Sequence, residues 1–196
     1  MILVAIRVKK NSIGNIESSL NTENPTLEDS TDDLLTSTFY FTDIYDMQKI
    51  TRFIKKCEAM IRGSEAYSSY IGNLRNDKQL HFCASKGNIT DEDASIEFHH
   101  YPFTLYDITY TVVMQHIIDN KPFTSFSITN EVLRLHSLNI IGLVPLSITE
   151  HQLVHDGVRS LSIKSVFGDV NKFVAKYNQY MDDEIIEKYN TLIKIL

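Results

Sequence analysis

The stretch Ser147-Ile-Thr-Glu150 constrains this chain more than any other. It is a capping box of the S-x-x-E type, in which a hydroxyl and a carboxylate three residues later satisfy N–H groups that a helix start leaves open. A helix is therefore expected to begin at Ser147, with Gly157 placed where a left-handed residue closes it. Just upstream, Ile140 to Val144 is a short apolar run that fits a strand turning at Pro145. Along the helix, His151 and His155 are four residues apart, so both imidazoles project from one face. Two metal ligands on a helix need that spacing.

A second histidine pair lies upstream. Ile96-Glu97-Phe98-His99 alternates, which predicts a strand with Ile96 and Phe98 on one face and Glu97 and His99 on the other. His100 follows, and Pro102 ends the strand. Between the two strands, Thr104 to Asp119 and Thr129 to Leu138 show helical spacing, with Thr129 as a possible N-cap. Asp43 or Asp46 would cap a helix running to about Met60 or Gly63, and Ser64 to Arg75 reads as a shorter one. Asn88 to Asp93 is a turn by composition, and Asp169 to Tyr180 and Asp182 to Ile195 repeat apolar residues at i, i+3, i+4. Met1 to Val8 reads as a strand, and Asn11 to Asp33 as a long loop or arm. The expected fold class is α+β and mostly helical. One compact domain is expected, made of an N-terminal region over 1–93, a central region over 94–157 and a C-terminal helical region over 158–196.

Charge is unevenly spread. Asn11 to Gln48 contains eight acids and no Lys or Arg. With those eight set aside, 19 basic residues stand against 17 acidic ones. The next stretch carries Lys49, Arg52, Lys55, Lys56, Arg62 and Arg75 against Glu58 and Glu65. Two differently solvated surfaces and an anion-binding face are both compatible with this pattern. No apolar run approaches the length of a membrane span, and the first segment lacks the order of a secretory signal, so a cytoplasmic protein without membrane contact is expected. Cys57 and Cys83 form no disulfide framework; with His81 they could enter a zinc site, but no C-x-x-C spacing is present. His116 falls on an apolar helix side as a packed residue would, His136 is ambiguous, and Tyr67 and Tyr70 could stack bases but are expected to be buried.

The order Glu97-x-His99-His100, then Gly142-Leu-Val-Pro-Leu, then a capped helix with His151-x-x-x-His155 resembles the HNH, or ββα-metal, finger of the His-Me nucleases. The likeness covers about 94–157. The phrases HHYPFTLYDI, VPLSITEHQLVHDG and IRGSEAYSSYI are also similar to HNH-like proteins of large bacterial viruses. The resemblance implies a ββα-metal finger whose strands are split by a helical insertion over about 104–138, and a metal-dependent endonuclease acting on DNA. It further implies His99, His151 and His155 around one divalent ion (Mg, Mn, Zn or similar), with His100 as general base. His155 would be a third ligand or a contact to the scissile phosphate, and Glu97 would hold the strand or a neighbouring basic residue in place. Where the family carries its motif Asn, spacing from His151 gives Gly142, and Asn139 is the nearest asparagine. The missing Asn and the acidic balance favour a second reading, a catalytically degenerate HNH-fold viral protein that binds nucleic acid or engages a host or viral protein through the acidic N-terminal stretch.

Overall fold

The computed structural model describes residues 46–194. The expectations for Met1 to Val8 and for the acidic stretch, apart from its last residues, lie outside the described residues. Helix α1 (Met47–Arg62) starts at Asp46, whose carboxylate accepts from the N–H groups of Gln48 and Lys49, and buries Ile50, Phe53, Ile54, Cys57 and Ile61. Helix α2 (Glu65–Asn76) starts at Ser64, whose hydroxyl accepts from the Tyr67 N–H. Strand β1 (Ile96–His100) leads into α3 (Leu105–Ile118), opened by a reciprocal box between Thr104 and Asp107.

Helix α3 is rich in β-branched residues, which individually disfavour helix, yet seven of its side chains are buried. Tertiary burial outweighs propensity here. The hydroxyls of Thr109 and Thr111 donate to the Leu105 and Asp107 carbonyls, so burial leaves neither unsatisfied. Helix α4 (Ser125–Ser137) begins at Thr124, four residues before its first apolar-stripe residue Ile128. The start expected at Thr129 is thus one turn and more too late. Thr124 and Ser127 cap each other, and Thr129 lies inside the helix and buried.

Strand β2 (Leu143–Ser147) pairs antiparallel with β1, placing His99 opposite Val144 and Glu97 opposite Leu146. It runs through Pro145 instead of turning there. The Pro145 carbonyl accepts from Ala84 N–H outside the pair, so the missing proline N–H falls on that outer side and costs no bond to β1. Leu143 exchanges two backbone bonds with Phe167, so β2 is covered on its far side as well. Helix α5 (Ile148–His155) follows without a linker, because Ser147 is both the last strand residue and the N-cap. Gly157 then adopts φ +70°, as the C-terminal signal requires. Helices α6 (Val170–Tyr177) and α7 (Asp183–Ile193) start at Asp169 and Asp182, each accepting from its own first turn.

The architecture is α+β and mostly helical, with one small antiparallel sheet among the described residues. Residues of α1, α3, α4, α6 and α7 form the main apolar core. A second, smaller core of Cys83, Ile96, Val144, Leu146 and Leu161 lies at the sheet. Helices α3 and α4 leave after β1 and return before β2, and the Tyr101 N–H donates to the Gly142 carbonyl where the chain closes on itself.

Candidate metal centre

Strand alternation puts Glu97 and His99 on one face of β1, and helix spacing puts His151 and His155 on one face of α5. The direct strand-to-helix junction at Ser147 sets one face against the other. The rings of His99 and His151 have centroids 5.0 Å apart, those of His99 and His155 5.0 Å, and those of His151 and His155 4.6 Å. One ring nitrogen from each of the three lies within 4.8 Å of the others. Among the described residues this is the one cluster of three such groups able to hold a metal ion.

Proton placement supports the same use. Glu97 accepts from Nδ1 of His151 in a short contact, so the lone pair of His151 is on Nε2. That nitrogen is 3.1 Å from Nε2 of His155. Two ligands of one tetrahedral zinc, at Zn–N of about 2.0–2.1 Å, sit about 3.3 Å apart, so the spacing fits a shared ion. A carboxylate behind a ligating histidine fixes its tautomer and orientation. Burial, then the neighbouring His151 and His155, hold His99 down to about 4, which keeps its imidazole neutral and ligand-competent. The chemistry of the donor set, three imidazoles with the exposed His155 on the open side, suits a borderline transition metal such as zinc.

The structure brings together His99, His151 and His155, with Glu97 behind them, and places His100 apart. His100 is only 6% exposed and faces the other side of β1. There its Nε2 lies 3.0 Å from Nε2 of His136, and the Tyr67 ring stacks on it at 6.3 Å. Tyr67 and Tyr70 present their faces and edges to His136 at 5.4 and 5.6 Å. Burial, then His136 and Arg62, push His100 well below the ordinary imidazole range. The partner His136 is the residue that sequence reasoning left undecided. Its signal was its place on the apolar stripe of α4, after Val132 and Leu135.

Gly142 has a structural reason. A Cβ there would stand 2.0 Å from the Tyr101 carbonyl oxygen and 2.7 Å from Val170, so no asparagine fits. Asn139 takes φ +53°; its carbonyl accepts from Asp169 N–H, and its side chain accepts from the Tyr70 hydroxyl. Glu150 also differs from a full capping box. Its N–H reaches the Ser147 hydroxyl, but its carboxylate binds Ser85 and Arg159. The Cys83 thiol contacts the Ser85 hydroxyl and the Cys57 thiol donates to the Ser125 carbonyl, so neither joins His81 in a cluster. His116 is half-buried against Glu131.

All of residues 1–196 match the family model of the bacteriophage G278-like virion proteins. The chain belongs to that family. No curated protein and no solved structure matches it. The G278-like assignment makes this a phage protein and leaves its chemistry to the site just described. No helix of the described residues is long and apolar enough to cross a membrane.

Proposed function

We propose that this virion-family protein is a metal-dependent, HNH-like endonuclease that hydrolyses DNA phosphodiester bonds from a ββα-metal unit formed by β1, β2 and α5. The observation that carries the reading is the convergence of three imidazoles on one point, with Glu97 fixing the tautomer of His151. His99, His151 and His155 would hold one divalent ion, Mg, Mn, Zn or similar. Such an ion, when bound, neutralises charge that develops on phosphate oxygens during displacement. His155, the most exposed of the three, would also be the one to contact a scissile phosphate. His100 is the general base: its burial keeps the imidazole neutral, the state a proton acceptor needs. Arg62 lies close enough to His100 to affect its protonation, and adds positive charge for a polyanionic substrate.

Elemental analysis of purified protein is expected to find one divalent ion per chain, lost in His151→Ala. Plasmid nicking with Mg²⁺, Mn²⁺ or Zn²⁺ is expected for the wild type and reduced at least about 10²-fold in His100→Ala. Equal nicking by the two proteins, or none with any metal, would defeat the catalytic assignment.

Two observations favour a second reading, that of a virion binding module in which the metal braces the fold. The position of the motif Asn is closed by the Tyr101 carbonyl, and His100 is almost wholly covered. In that case the ion resists chelation, no nicking occurs, and one host or viral protein is retained stoichiometrically in a pull-down that depends on the acidic N-terminal stretch.

A further inference from the structure

We propose that His136 is the positioning residue for His100: it accepts the Nε2 proton of His100 and leaves Nδ1 as the one nitrogen able to take a proton from water. The catalytic consequence rests on the hydrolytic reading given above, while the tautomer rests on hydrogen bonding alone. The chain of bonds has one solution. The Val132 carbonyl can only accept, so Nδ1 of His136, 2.8 Å away, donates to it. A neutral imidazole has a single N–H, so Nε2 of His136 is an acceptor. Nε2 of His100 lies 3.0 Å from it and therefore carries the proton.

The surroundings hold both rings still and keep His136 neutral. Burial holds His136 down to about 4, with Arg62 acting in the same direction. Tyr67 stacks on His100 at an interplanar angle of 10° and meets His136 edge-on at 87°, so one tyrosine wedges both rings in place. Nδ1 of His100 has no hydrogen-bond partner among the described residues. His100 is 6% exposed, so a water has to enter through that narrow opening for Nδ1 to act on it. His136 arrives on α4, between the two strands, and supplies the side-chain brace that Gly142 lacks. A base held in the wrong tautomer keeps its position and loses its function.

Long-range proton–nitrogen correlation on full-length protein labelled with ¹⁵N in its histidine rings reads the tautomers at neutral pH, with assignments from single His→Gln variants. The expected spectrum has the proton on Nε2 of His100 and on Nδ1 of His136. A proton on Nδ1 of His100 overturns the proposal. In plasmid nicking, His136→Phe is expected to lower kcat about 10²-fold with KM unchanged, and His136→Gln, whose carboxamide oxygen can accept, to recover part of it. Wild-type kcat in His136→Phe also overturns it. A wild type that nicks nothing sinks the hydrolytic reading, and its histidine spectrum still decides the tautomer.

Discussion

Glu97 holds no ligand position itself; it holds His151. Removing its charge while keeping its shape, Glu97→Gln, is expected to weaken zinc affinity by about 10- to 100-fold, read by competition with a chromophoric chelator. Unchanged affinity would mean that α5 alone orients the ring. Gly142 allows a second prediction. A side chain there must displace the Tyr101 carbonyl or Val170, so Gly142→Ala is expected to cost at least about 1–3 kcal/mol in chemical denaturation, and Gly142→Asn no less. The three clustered histidines were legible in the sequence because helix and strand periods are local rules: i+4 on α5 and alternation on β1. His136 was not, since its partner lies 36 residues away and is brought to it only by the tertiary fold. Gly142 was legible as a departure, but the carbonyl that enforces it was not.

At the scale of elements, the start of α5 ties stability to the site. Ser147 closes β2 and caps the helix that carries His151 and His155. Ser147→Ala is expected to cost about 1 kcal/mol in thermal unfolding, and to lower metal affinity with it, while Ser147→Asp retains both. Loss of stability without loss of affinity would separate the cap from the ligands. Arg75 performs the corresponding task for β1: its guanidinium donates to the Ile96 carbonyl at 2.7 Å and lies 5.8 Å from the Phe98 ring centroid. Arg75→Met is expected to cost about 2 kcal/mol by the same measurement. Helix starts were readable where one short polar side chain does the capping, as at Asp46, Ser64, Asp169 and Asp182. The α4 start was missed because its first turn, Ser125 to Ser127, hides the apolar period behind hydroxyls and an exposed Phe126. Pro145 misled as a turn because sequence does not say which edge of a strand faces outward.

At the scale of the whole molecule, burial keeps three imidazoles neutral: His99 and His100 on β1, and His136 beside His100. Burial holds His99 and His136 each down to about 4 and His100 well below its ordinary value, whereas the unfolded chain titrates near 6.5. As pH falls below 6.5 the unfolded state gains these protons first, so stability drops progressively toward pH 4. The metal-free protein is expected to lose up to about 1.4 kcal/mol per pH unit for each histidine, read from urea midpoints at pH 7 and pH 5. His136→Phe should flatten that slope, and a flat wild-type profile would show that the rings are solvated. His99 and His100 are consecutive, yet one looks toward solvent-side ligands and the other into the protein. One planar peptide unit joins them, so any shift of the backbone that moves one ring is shared by the other.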